Sequence, residues 1–83
     1  MILLGKPEEA LVAAKTAKKL DPEWTKAYVR EAQAYVEMKE FGEAAASYFE
    51  ALKLEPTNKD LRALFEQTME AGKRHYQETQ QKK

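Results

Sequence analysis

Lys26 and Arg30 stand four residues apart in the run Lys26-Ala27-Tyr28-Val29-Arg30. On a helix this spacing puts both cations on one face, a single turn apart. Two cations so placed can grip a carboxylate through charge-assisted hydrogen bonds, and arginine's planar fork allows two parallel contacts. Val29 and Gln33 fall beside the same face. The competing reading is plain solubility, with Lys26 or Arg30 pairing with Glu23 or with neighbours of Glu31.

Other chemistry-bearing residues are sparse. There is no cysteine, which removes disulfides, thiolate metal sites and thiol nucleophiles. The single histidine, His75, has no second imidazole beside it, so a surface or packing role is expected. Glu8, Glu9 and Glu55 sit near helix starts, where carboxylates favour the helix dipole rather than acid–base work. Lys15, Lys18 and Lys19 form a short basic face expected to be solvated. Trp24, Tyr28, Tyr35, Phe41, Tyr48 and Phe49 have helical spacing, which makes them core rather than a base-stacking platform. Phe49 falls outside the main stripe and is expected against an adjoining helix. No nucleophile–base pair, metal-ligand cluster or glycine-rich phosphate loop is present, so neither catalysis nor a metal or cofactor is expected.

Eighty-three residues allow one small domain, whose core can be only modest. Fourteen basic and fourteen acidic side chains cancel, which argues against bulk attraction to nucleic acid or anionic lipid. No stretch approaches the ~20 apolar residues that span a bilayer. Met1-Ile2-Leu3-Leu4-Gly5 is too short for a signal-peptide core and reads as the end of a helix whose beginning is missing.

Four helices must position these residues, all with a period near 3.6. The first is expected over Pro7 to Leu20, opened by a proline whose absent N–H would have no partner there. Ala10, Ala13, Ala14 and Ala17 form its apolar face, with lysines opposite. The second is expected from Glu23 to Met38, entered through Pro22 with Asp21 or its neighbours accepting free N–H groups. Trp24, Tyr28, Ala32 and Tyr35 form its stripe. The third spans Phe41 to Leu54 on Ala44, Ala45, Tyr48, Ala51 and Leu52. The fourth follows the N-cap Asn58 and runs to Glu78 on Leu61, Leu64, Phe65, Thr68, Met69, Gly72 and Tyr76. Short connections require neighbouring antiparallel helices.

The pattern occurs twice. Lys6-Pro7-Glu8-Glu9-Ala10 through Leu20-Asp21-Pro22 recurs as Glu40-Phe41-Gly42-Glu43-Ala44 through Leu54-Glu55-Pro56, with the closing prolines 34 residues apart. A 34-residue helical period signals stacked helix-turn-helix units. Counted from Thr25, Tyr28, Ala32, Tyr35, Phe41, Ala44, Tyr48, Ala51 and Pro56 resemble the signature of a tetratricopeptide repeat. Glu31 departs from it, standing where the family has leucine, and is expected to loosen one contact. The preceding block fits only a second helix, with Ala14 in place of an aromatic. The segment after Pro56 resembles a capping helix.

The resemblance implies an all-α, superhelical helix-turn-helix array of about four antiparallel helices. It makes 1–80 one partial domain: 6–22 the second half of a repeat, 25–58 a complete repeat and 59–78 the cap, with a disordered tail over 79–83. First helices line the concave groove in this family, so Lys26, Val29, Arg30 and Gln33 should face it. The segment is similar to the last repeat of Hop-type co-chaperones, in which a lysine and an arginine four apart help clamp the acidic C-terminal tail of a heat-shock chaperone. Lys26 and Arg30 match those two positions; the remaining clamp residues belong to earlier repeats. The implied partner is the C-terminus of a seventy- or ninety-kilodalton heat-shock chaperone, in the cytoplasm. The alternative is a generic repeat scaffold for an unrelated protein. Because the first helix lacks its usual mate, Leu11 and Ala14 are expected to be exposed and the chain to pair with a second copy.

Overall fold

The computed structural model describes residues 6–81, with side chains through Glu78. Four helices follow one another: α1 Pro7–Leu20, α2 Thr25–Glu37, α3 Phe41–Leu54 and α4 Lys59–Gln81. Each packs chiefly on its sequence neighbours. No strand occurs among the described residues. The thinnest dimension of the molecule is 19 Å, the depth of two helix layers. One layer holds α1 and α3, and the other holds α2 and α4.

Small residues explain the close approach of α2 and α3. Ala32, Ala44 and Ala51 have no exposed surface, and they lie with Tyr48 and Leu61 in one cluster. Tyr28, Val29, Tyr35, Val36, Leu52, Leu64 and Phe65 pack around it. Alanine methyls bring the backbones together, and aromatic rings fill the space between turns.

The connections have identifiable locks. The Tyr28 hydroxyl donates to the Pro22 carbonyl at 2.7 Å, tying the α1–α2 turn to the helix that follows it. Asp21 accepts from the Glu23 N–H at 3.2 Å, so it braces the turn instead of capping α2. α2 ends in a Schellman turn: the Glu40 N–H donates to the Tyr35 carbonyl and the Lys39 N–H to that of Val36. Lys39 accordingly takes φ 63°, a left-handed conformation that favours glycine. Asn58 caps α4 as expected, accepting from the Leu61 N–H at 3.1 Å. Its amide also donates to Glu55 at 2.9 Å. With a further hydrogen bond from Thr25, that contact holds the Glu55 carboxyl below its ordinary value.

Several expectations are corrected. α2 begins at Thr25, so Trp24 sits outside the helix at its N-cap and is 46% exposed instead of joining the Tyr28 stripe. Ala10 and Ala13 are exposed, while Ala14 is buried and Leu11 half-buried: the packed face of α1 is rotated toward Ala14 and Lys18. The exposed large apolar residues of α1 are instead Val12 and Leu20. Phe49 is half-exposed rather than core, but it does tilt against Phe65 of the adjoining helix as expected, with ring centres 6.1 Å apart. α4 is nine residues longer than α3, and Tyr76 and Met69, expected on its packed stripe, are 64% and 54% exposed. The helix also runs on through Gln81, where a disordered tail from Thr79 was expected. Residues 1–5 and 82–83, including the apolar start, lie outside the described residues.

Candidate functional site

Lys26, Arg30, Gln33 and Glu37 recur at i, i+4, i+7 and i+11 along α2, which places them on one stripe. All four are exposed. The Gln33–Glu37 end of the stripe forms one wall of a groove of about 370 Å³. Leu64, Gln67, Thr68 and Ala71 of α4 form the opposite wall, and Phe41 and Tyr48 of α3 form the floor. The groove therefore opens between α2 and α4 over α3, and its size is that of a small ligand site. Tyr48 is 3% exposed, and burial pushes its hydroxyl above the ordinary tyrosine value, so it remains a neutral hydrogen-bonding group. Val29 is half-buried and packs on the core; the apolar wall residue of α2 is Val36.

Neither Lys26 nor Arg30 makes an ion pair among the described residues. Glu31 follows Arg30 directly and so points about 100° away round the helix. Glu31 is turned away from the groove and is 4% exposed. Both its oxygens accept from the Lys18 ammonium of α1, at 2.9 and 3.0 Å. The Ser47 hydroxyl of α3 donates to the same carboxylate at 2.8 Å. Lys18 also lies 5.0 Å above the Tyr28 ring. Glu31 is thus engaged with α1 and α3, on a face of α2 apart from Lys26 and Arg30.

This tie overturns two expectations. Lys18 is no freely solvated face residue, since it closes a partly buried ion pair. Glu31 does not loosen its contact; it replaces an apolar one with a polar bond across three helices. The only sign of it in the sequence was a carboxylate at a position whose register is apolar. Its partners, 13 positions before and 16 after, become neighbours only when α1 and α3 flank α2. No described buried side-chain polar atom lacks a partner. Glu37 also went unremarked in the sequence; its helical phase with Lys26 was the available signal.

His75 stacks edge-on against Phe41 with ring centres 5.5 Å apart, a packing role. Among the described residues no group of three or more His, Asp or Glu side chains could hold a metal, and no helix is long and apolar enough to cross a membrane.

With this geometry in view, a family model described as tetratricopeptide repeat matches residues 25–58, the complete unit bounded by Thr25 and Asn58. Residues 25–58 are a tetratricopeptide repeat. α2 and α3 are its two helices, preceded by α1 and followed by α4. Over 61 residues the repeat and its surroundings are 43% identical to the protein named STIP1 homolog of Dictyostelium discoideum, a relative of the Hop type. The alignment takes in 74% of this chain and 11% of that protein, so the chain spans about a tenth of its relative's length. No solved structure matches. The tetratricopeptide repeat makes the chain a protein-interaction module.

Proposed function

We propose that this repeat belongs to a cytoplasmic co-chaperone and receives the acidic C-terminal peptide of a seventy- or ninety-kilodalton heat-shock chaperone, Lys26 and Arg30 holding carboxylates and Gln33 lining the groove beyond them. Val29 sets the stripe by anchoring α2 to the core. The observation that carries this reading is a pair of exposed cations one turn apart, without an acidic partner among the described residues, on the α2 stripe whose other end, Gln33 and Glu37, lines the groove. Their resemblance to the clamp positions of Hop-type co-chaperones and the likeness to the STIP1 homolog support it.

The test is a titration with a Glu-Glu-Val-Asp peptide. Saturable binding is expected to weaken about tenfold in the Lys26→Ala, Arg30→Ala double variant and to weaken with added salt. Equal affinity of the double variant, or no binding by the unaltered chain, defeats the clamp.

A second proposal concerns assembly. Val12 and Leu20 are 65% and 81% exposed on the flank of α1, and this supports pairing of two copies through that helix. A folded monomer in sedimentation at high concentration defeats it.

A further inference from the structure

Met69 and Tyr76 follow the apolar period of α4 and still stand exposed. They are seven residues apart and so share one flank of the helix. That flank lies away from the α2–α4 groove, which α4 borders with Leu64, Gln67, Thr68 and Ala71. Met69 borders a second hollow instead, of about 430 Å³, between α4 and α3. Gly42, Ala45 and Gly72 also line it, so much of its wall carries little side chain. Phe65, one turn before Met69, touches the half-exposed Phe49 and carries the apolar strip across to α3. Phe49, Met69 and Tyr76 thus form a contiguous exposed patch, not single scattered residues. Glu70 and Lys73 are exposed beside it, and neither makes an ion pair among the described residues.

We propose that this flank of α4 docks a second copy of the chain, packed antiparallel about a two-fold axis between Gly72 and Lys73. The charge order selects that occupant. Acid precedes base along α4, and an antiparallel copy reverses the order, setting each Glu70 against the other copy's Lys73. A parallel copy sets like charges together. About the same axis, each Tyr76 falls opposite the other copy's Met69, where sulfur and ring attract, and the open hollow beside Met69 receives the ring. Both copies offer the same patch, so the assembly closes at two. Its contact runs along one helix, from Phe65 to Glu78, about 20 Å, which makes it a weak, reversible interface. Neither the carboxylate site nor α1 takes part, and the groove between α2 and α4 stays open.

The experiment is sedimentation equilibrium of the full chain carrying Val12→Glu and Leu20→Glu, which removes any pairing through α1. A dimer with a dissociation constant on the order of 0.1 mM is expected. In the same chain, Met69→Gln with Tyr76→Ser weakens it at least about tenfold. Both residues are exposed, so the helical circular-dichroism signal is retained. Glu70→Lys alone and Lys73→Glu alone each weaken the dimer about fivefold, the scale of exposed pairs turned repulsive. The two together restore it, because the exchange keeps opposite charges facing. A folded monomer at about tenfold above that concentration overturns the proposal, as does a dimer that tolerates the Met69, Tyr76 variant. Single charge variants that leave the dimer unchanged, or a double variant no better than either, overturn the antiparallel arrangement. None of these results bears on the carboxylate site, and pairing through α1 is judged separately in the chain with Val12 and Leu20 intact.

Discussion

The two seams of the molecule are built on opposite chemistry. Where α1 meets α2 and α3, the buried link is ionic: Lys18, Glu31 and Ser47 close on one another within 3.0 Å. Where α3 meets α4, the link is apolar: Leu61 enters the core cluster, Leu64 and Phe65 pack beside it, and Gly72 lies against Phe41. An apolar seam takes its strength from buried area and tolerates imprecise neighbours. A buried ion pair is worth little net, because desolvation offsets attraction, yet losing one partner is costly. The first seam therefore fixes the register of α1 on the repeat, and the second supplies cohesion.

Substitutions can separate these roles. Leu61→Ala is expected to have the largest effect, about 2–4 kcal/mol of lost stability, because it opens a cavity in the apolar seam. Chemical denaturation measures it, and a loss under 1 kcal/mol would mean that α4 is not integral to the core. Lys18→Met strands the Glu31 carboxylate and is expected to cost about 2 kcal/mol, tempered by Lys18's partial exposure. Adding Glu31→Leu should recover most of that loss, since the apolar residue restores the register's usual chemistry. If the double variant is no better than the single, the ionic description of the seam is wrong.

The glycines sharpen the contrast further. A methyl at Gly72 would sit 2.9 Å from the Phe41 Cβ, so Gly72→Ala is expected to cost about 1–2 kcal/mol by prising α3 from α4. Gly42 has open space around it, and Gly42→Ala should instead stabilise the chain by about 0.5–1 kcal/mol through helix propensity. Opposite signs in thermal melts are the expected result. An effect as small lies between the seams: Lys39→Gly relieves a left-handed backbone and is expected to raise stability by about 0.5–1 kcal/mol.

The repeat frame from Thr25 to Asn58 was legible because its signals are local and periodic. Pro22 and Pro56 interrupt the helices, alanines recur at helical spacing, and Asn58 caps a helix by its own side chain. Trp24 was misplaced because α2 starts at Thr25, two residues later than expected, and a residue in extended conformation before the helix does not follow the helical phase. Tyr76 fits the apolar period of α4, but periodicity carries no information about where the neighbouring helix stops.

Local pattern thus determined the four helices, their pairing in short hairpins, the alanine contact between α2 and α3, and the shared face of Lys26 and Arg30. Tertiary structure alone decided that Glu31 turns inward to Lys18 and Ser47, that those two cations stay unneutralised, and that Glu37 stands at a groove wall. The reason is physical: helical phase follows from residues within a turn or two, whereas the partner of a charge depends on which distant helices flank it.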